Sequence, residues 1–401
     1  MPTALYPLVI QVEQPTTLTL DDLTPRVPYQ ATVRSRRSGE IIAEHEQTAD
    51  QNGELHIEVL VSERGEYWVD LCPVPATDRL AQLSFFAVPP ELAARRPLRC
   101  DFHIHTLYSD GRNTPAEMLI RGRELGLDVA VITDHNAYAG SIEGLDARQE
   151  LDLNLITMPG EEVSAHNWHV LSIGATASIY DQARENYDLE SDPRDERWTS
   201  YGGLRWAIET TQAQGGRAYL AHPYWTIDRG FHLPTTFYDQ VLAEDILDGI
   251  ELLGDVKYQN NVRSLARYLD LRSSGHQVPI LGNSDTHASQ HTYGIYWTQV
   301  WAEDLTPAGV LDAIRDGWSV ACTTIEPVEI CRRPQAVQAF GPFELVDCAT
   351  FLEHHFYPLH DTLCRQEAAY AYRAWRGETL PAGRMDEQRA QMEALYRTCG
   401  L

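Results

Sequence analysis

Between residues 1 and 90 the apolar positions come in short runs with a period near two. Leu8 to Val12, Tyr29 to Val33, Leu55 to Val61, Tyr67 to Leu71 and Leu83 to Val88 are each bounded by turn-forming residues, and LHIEVLV and EYWVDL alternate most clearly. This spacing predicts a small β-sandwich over residues 1–90. Residues 91–99, with their prolines and charges, read as a linker.

From Cys100 the rhythm changes to strand, helix, strand. CDFHIH leads to a helix from Pro115 to Leu125, DVAVIT to one near Ser141 to Glu150, and LNLITMPGEEV and WHVLSIG follow. Leu204 to Gln214, Phe237 to Ala243 and Tyr258 to Arg272 read as helices before or between RAYLAH, DGIELL and VPILGNSD, and TYGIYWTQVWA and SVACTTI close the series. Repeated β-α units predict a parallel sheet, and seven or more core strands favour a closed barrel over an open doubly wound sheet. The fold class is α/β, with the barrel over residues 100–330 and a helical extension over 331–401. Those C-terminal helices would serve either structural packing or a homo-oligomer contact. The polar stretch 175–203 is too long for an ordinary connection and reads as a lid or a disordered insertion.

Composition narrows the function. The 401 residues carry 58 acidic against 32 basic side chains, a formal charge of −26, with no strong basic cluster, so neither nucleic acid nor an anionic membrane is expected as partner. The seven cysteines lack CxxC spacing, so neither a disulfide framework nor a zinc ribbon is indicated. No apolar run approaches the roughly 18 residues that span a bilayer, and the start lacks a signal-peptide pattern. A cytoplasmic protein acting on a small molecule is the expectation.

Chemistry-bearing residues recur where the apolar runs end. His103 and His105 are two apart on a predicted strand, facing one side roughly 6.6 Å apart. Asp110 follows that strand, His135 follows VAVIT, Glu162 follows LITMPG, His222 follows RAYLA, and Asp285 and His287 follow PILGNS. Barrel enzymes build their sites at this edge. His169 differs, since it opens the run HVLSIG. Taken singly, Asp110 could be a turn residue, Asp134 a helix cap and His222 a satisfied core histidine. Taken together, unpaired polar groups at every strand end would each cost about 1–3 kcal/mol, a cost that metal coordination removes.

HIHTLYSDG, ITDHN, GEEVS, HVLSIG, AHP and NSDTH, in this order, resemble the polymerase and histidinol phosphatase (PHP) family of metallohydrolases. The resemblance implies a distorted seven-stranded, TIM-like β/α barrel. It also implies three ion sites: His103, His105, Glu162 and Asp285; Glu162, His169 and His222; and Asp110, His135 and His287, with Glu162 bridging. Glu161 and His166 are the rival positions should the motif slip, although the Gly160-x-Glu spacing favours Glu162.

Two or three divalent transition-metal ions (Zn, Mn or Fe) suit this mixed imidazole and carboxylate set. A hydroxide held by the ions would be the nucleophile, with no protein nucleophile. Phosphoester hydrolysis of a small molecule is the leading expectation. The flanking regions, TDHN and AHPYW resemble the carbaryl-hydrolase-like branch, which keeps carboxylic ester, carbamate or amide hydrolysis as the alternative. A non-catalytic, metal-stabilised binding protein is the remote one. Arg112, Asn136, Tyr224, Trp225, Arg229 and Lys257 are the candidates around the ions, with Arg229 and Lys257 favoured as substrate contacts. Trp198, Trp206 and Trp225 are candidates to wall a pocket.

Overall fold

The computed structural model describes residues 4–76, 78–227, 230–254, 258–290, 292–324 and 337–401. The chain divides into two compact units: residues 1–96 with 347–360 and 389–401, and residues 97–346 with 361–388.

In the first unit the strands are β1 (Leu5–Tyr6), β2 (Val9–Gln11), β3 (Thr16–Leu20), β4 (Pro28–Ser35), β5 (Ile41–Thr48), β6 (Leu55–Val59), β7 (Gly65–Pro73) and β8 (Ala81–Val88), followed by the short helix α1 (Pro90–Ala93). A three-stranded sheet, β1-β3-β6, and a five-stranded sheet, β2-β8-β7-β4-β5, feed one core. Leu18, Leu20 and Ile57 meet Val33, Val69, Leu71 and Phe85 there. The strands missed in the sequence have local causes: β5 is mostly exposed and shows no apolar alternation, and β3 is a short threonine-rich run.

The second unit is mixed α/β. Its elements are β9 (Arg96–Ile104), α2 (Pro115–Glu124), β10 (Val129–Ile132), α3 (Ala139–Glu150), β11 (Gly160–Ala165), β12 (Trp168–Ile173), α4 (Ile179–Asn186), α5 (Tyr201–Ala213), β13 (Arg217–Leu220), β14 (Thr226–Ile227), β15 (Gly230–Phe231), α6 (Thr235–Glu244), β16 (Gly249–Leu253), α7 (Tyr258–Ser273), β17 (Ile280–Gly282), β18 (Tyr296–Ala302), α8 (Pro307–Arg315), β19 (Ser319–Thr323) and β20 (Gln338–Phe340). Three C-terminal helices follow: α9 (Phe343–His355), α10 (Tyr357–Trp375) and α11 (Arg384–Cys399). Helix α1 and the start of β9 occupy the segment read as a linker. The C-terminal helices are not one extension: residues 347–360 and 389–401 group with the N-terminal strands, and 361–388 with the α/β unit.

Two five-stranded sheets, β10-β9-β18-β19-β20 and β11-β12-β13-β16-β17, build the α/β unit. Isolated parallel bridges join them: Val129 with Ile156 and His135 with Glu162 on one flank, Ile104 with Thr286 on the other. The pairing is not uniformly parallel. A two-residue turn at 166–167 returns the chain from β11 into β12, and such a tight turn can join only antiparallel strands, so β12 runs against both β11 and β13.

Local chemistry sets the edges of these elements. Helix α2 starts on a reciprocal cap in which the Thr114 side chain accepts from the Glu117 backbone while Glu117 answers the Thr114 N–H, with Pro115 in the first turn. Its buried Met118, Leu119 and Ile120 fix its inner face. Strand β9 alternates: Cys100 and Phe102 enter an apolar core with Val129, Val131, Leu171 and Leu281, while Asp101 and His103 face the other way. The stretch 175–203 is an ordered, packed segment. It contains α4, and its Leu189 and Trp198 are buried in the same core as Trp168 and Leu204.

Candidate metal centre

The parallel strands β9, β10 and β16 end on one side of the curled sheet, and the polar residues collect there. His103 Nε2 and His105 Nε2 lie 3.2 and 3.1 Å from Asp285 Oδ1. Glu162 Oε2 stands 3.2 Å from His103 Nε2 and 3.4 Å from His105 Nε2. Its other oxygen, Oε1, is 3.0 Å from His169 Nδ1 and 3.1 Å from His222 Nε2, and these two nitrogens are 3.3 Å apart. At the open edge, Asp110 Oδ1 is 3.3 Å from His287 Nε2, Asp110 Oδ2 is 3.9 Å from His135 Nε2, and the rings of His105 and His287 stack at 4.2 Å. All nine residues therefore converge. His105 also falls within reach of the Asp110, His135 and His287 group, and His135 Nδ1 comes within 2.8 Å of Glu162 Oε2.

Strand direction explains the position of His169. Because β12 is antiparallel, its beginning lies where the parallel strands end, and His169 pairs with Ser164 beside Glu162. Alternation along β11 separates the rival carboxylates. Glu161 turns away, accepting from Ser178 Oγ and the N–H of Ile179 at the start of α4. His166 is exposed, and only its backbone carbonyl takes part nearby, accepting from His232 Nε2 at 2.9 Å. Gly160 lets β11 approach: a Cβ there would lie 2.6 Å from the Ile132 carbonyl oxygen.

The cluster fits a set of cations. His103 Nε2 and Glu162 Oε2 are fully buried and neither makes a well-aligned hydrogen bond, although they face each other. Orphaned buried acceptors of this kind are costly unless something else satisfies them. Borderline nitrogen donors mixed with carboxylate oxygens suit transition metals better than calcium or magnesium. Before any cation is counted, burial presses the His103 imidazole down, but Asp285, Glu162 and Glu251 together outweigh it and raise its pKa well above the usual range. Burial also opposes the charge on Glu162, yet the surrounding imidazoles hold its pKa well below the carboxylate norm. Burial dominates at His169, whose pKa falls to about 4. The hydrogen bond from His287 pulls Asp110 down to about 2.

Three of the eight non-glycine residues with positive φ among the described residues lie here. His222, Asp285 and Asn136 have φ values of 25°, 48° and 51°, a region non-glycine residues seldom occupy and which costs of order 1–3 kcal/mol each. Asn136 holds its conformation by a two-bond clamp: its Oδ1 accepts from Ser164 N at 2.8 Å and its Nδ2 donates to Ser164 O at 3.0 Å. Asn136 is thus a brace between the segment after β10 and β11. Asp134 does not cap the following helix, whose N-cap is Tyr138. It accepts from Thr106 N, Thr106 Oγ1 and Ser109 Oγ, fixing the loop that carries Asp110.

Of the other candidates, Arg229 and Lys257 lie outside the described residues. The Arg112 side chain is exposed, and its N–H donates to the His287 carbonyl. Tyr224 packs on Phe231 and Tyr238. Trp198 and Trp206 pack with Tyr187, away from the histidines, whereas Trp225 lies 5.2 Å from His222 and 5.9 Å from His169. The sequence reading missed two residues. His232 adjoins His169 at 4.5 Å and Trp225 at 4.9 Å, and no sequence signal marked it. Glu251 is buried behind His103; a lone carboxylate inside the apolar run GIELL was the available signal.

The chain is similar in part to several known proteins. An uncharacterized protein of Methanocaldococcus jannaschii is 24% identical over 180 residues, 42% of this chain and 89% of its own length. A 5'-3' exoribonuclease of Haemophilus influenzae is 34% identical over 82 residues, 20% of this chain; that match spans 29% of the exoribonuclease. Among solved structures, a two-domain protein from Bacteroides vulgatus containing a predicted PHP-like metal-dependent phosphoesterase aligns with a TM-score of 0.45 at 20% identity. It covers 65% of this chain and 70% of that one. Residues 101–189, which hold His103, His105, Asp110, His135, Glu162 and His169, match the PHP domain family. That segment of the chain is similar to a PHP domain.

Proposed function

We propose that the cluster holds two or three divalent transition-metal ions and that the protein hydrolyses a phosphoester of a small molecule. The observation that carries this reading is the placement of Glu162. One of its oxygens faces His169 and His222, the other faces His103, His105 and His135, and so one buried carboxylate is shaped to join two cation sites. When bound, such ions polarise a phosphoryl group and lower the pKa of a water toward about 7.

The chain's own part is to hold the ligands with little freedom. His103, His105 and Glu162 are fully buried, while the Asp110 and His287 side chains remain 57% and 38% exposed. The open edge is therefore where substrate would enter. The resemblance of the exoribonuclease, whose name implies phosphodiester cleavage, supports a phosphorus-directed reaction. On the same reading the α/β unit holds the distorted seven-stranded barrel, and residues 1–90 form a β-sandwich.

A second reading, hydrolysis of a carboxylic ester, carbamate or amide, is favoured by the wall beside His169 and His222. That wall is formed by Trp225 and His232, which would suit an organic group more than a second phosphate. Metal-reconstituted protein should be assayed with p-nitrophenyl phosphate, bis(p-nitrophenyl) phosphate, p-nitrophenyl acetate and a p-nitrophenyl carbamate. Turnover of a phosphoester without the acetate or carbamate is expected; the opposite pattern would transfer the assignment to the second reading.

A further inference from the structure

We infer that Glu251 is a positioning residue that ties two ligand groups of the centre together: it aims His103 and holds the backbone of His222. The inference rests on the metal centre proposed above.

Glu251 lies on β16 and is 1% exposed. Its Oε1 is 3.0 Å from His103 Nδ1 and 2.8 Å from Asn283 Nδ2. Its Oε2 accepts from the backbone N–H of His222 at 2.7 Å. The orientation of the Asn283 amide is fixed independently, because its Oδ1 accepts from Phe102 N at 3.0 Å, which leaves Nδ2 as the donor toward Glu251. One carboxylate therefore gathers β9, the segment after β13 and the segment after β17. The space for it is reserved: a Cβ at Gly254 would sit 2.8 Å from Glu251 Oε2.

These contacts have a consequence for the ligand atoms. A carboxylate only accepts, so His103 must place its proton on Nδ1, leaving the lone pair on Nε2, the nitrogen that faces Glu162 Oε2 and Asp285 Oδ1 at 3.2 Å. Carboxylates behind metal-binding histidines act in this way. The bond to His222 N–H holds a residue at φ 25°, followed by Pro223, in a conformation it would otherwise leave.

Substituting Glu251→Gln removes this double function for a stated reason. The amide has one accepting oxygen where three N–H groups now converge. If its NH2 faces His103, the imidazole must accept on Nδ1 and carry its proton on Nε2, where it cannot bind a cation. If its NH2 faces His222, two donors meet and the strained backbone loses its restraint. Glu251→Asp keeps the charge but is one methylene shorter and cannot reach both partners.

The test is a zinc titration of metal-free wild type, E251Q and E251D against a chromophoric chelator, with the Tm of each read metal-free and zinc-loaded. Both variants should bind zinc about 10- to 100-fold more weakly and gain less Tm from zinc. In zinc-loaded wild type, 15N NMR should find the His103 proton on Nδ1. A purely structural role would lower metal-free and loaded Tm together and leave the zinc increment unchanged; that result, or wild-type affinity in both variants, overturns the inference. Should E251Q not fold, E251D carries the comparison. Failure of wild type to bind zinc is a separate outcome that overturns the metal centre and this inference with it.

Discussion

Glu161 and Glu162, neighbours on β11, send their carboxylates to opposite faces of the strand: Glu162 Oε1 to His169 and His222, Glu161 Oε2 to the N–H of Ile179 at the start of α4. Adjacent and chemically identical in sequence, they have separate tasks because strand side chains alternate.

Two substitutions should therefore part cleanly. Glu162→Gln should abolish retention of the ions that its two oxygens would share, with the fold kept. Glu161→Ala should leave ion content at the wild-type level but destabilise the protein by about 1–3 kcal/mol, because Ile179 N and Ser178 Oγ lose a buried acceptor. Elemental analysis and denaturant unfolding of both variants check this, and equal ion loss in the two would contradict the geometry.

Gly111 offers a way to disturb the loop that bears Asp110. A Cβ at this position would lie 2.6 Å from the His105 backbone, too close to be absorbed without moving the loop that bears Asp110. Gly111→Ala should lower ion stoichiometry by about one per chain, emptying the Asp110, His135 and His287 group first. The Glu162 group should fill as in wild type when titrated with zinc.

Asn136 tests the brace. Asn136→Gly removes the two hydrogen bonds to Ser164 but accepts φ 51° without strain, whereas Asn136→Ala loses the bonds and must also hold the left-handed conformation. Both should be less stable than wild type, with the alanine variant worse by about 1–2 kcal/mol. Urea midpoints for the pair measure the difference directly, and equal stability would show that the backbone relaxes.

Removing the ions should loosen the α/β unit. Ligands that bind only the folded state stabilise it by mass action, so a chelator should lower Tm. Zinc or manganese should restore it better than calcium or magnesium, whose preference is for all-oxygen sites. An unchanged Tm after complete chelation would argue that the cluster is held by protein contacts alone.

Much of the centre is legible in the sequence because its residues interrupt a strong pattern. His135, Glu162, His222 and Asp285 each follow an apolar run, where a polar group is conspicuous. His169 looked anomalous until the 166–167 turn showed that β12 runs backward, which period-two patterning cannot reveal since it carries no direction. Glu251 was hidden in GIELL because a buried carboxylate is recognised by its partners, and His103, His222 and Asn283 are far from it in sequence. The stretch 175–203 reads as a lid or a disordered insertion because its polar residues outnumber the few buried anchors, Ile179, Leu189 and Trp198. The division of the C-terminal helices between two units likewise depends on long-range packing that helical periodicity does not record.

The most direct single measurement is the rate of phosphoester hydrolysis as metal-free protein is titrated with manganese or zinc. The rate should rise from zero and level off at two to three ions per chain. Hydrolysis that persists after the ions are removed, or that never appears at any loading, would contradict a metal-dependent phosphoesterase built on Glu162 and its histidines.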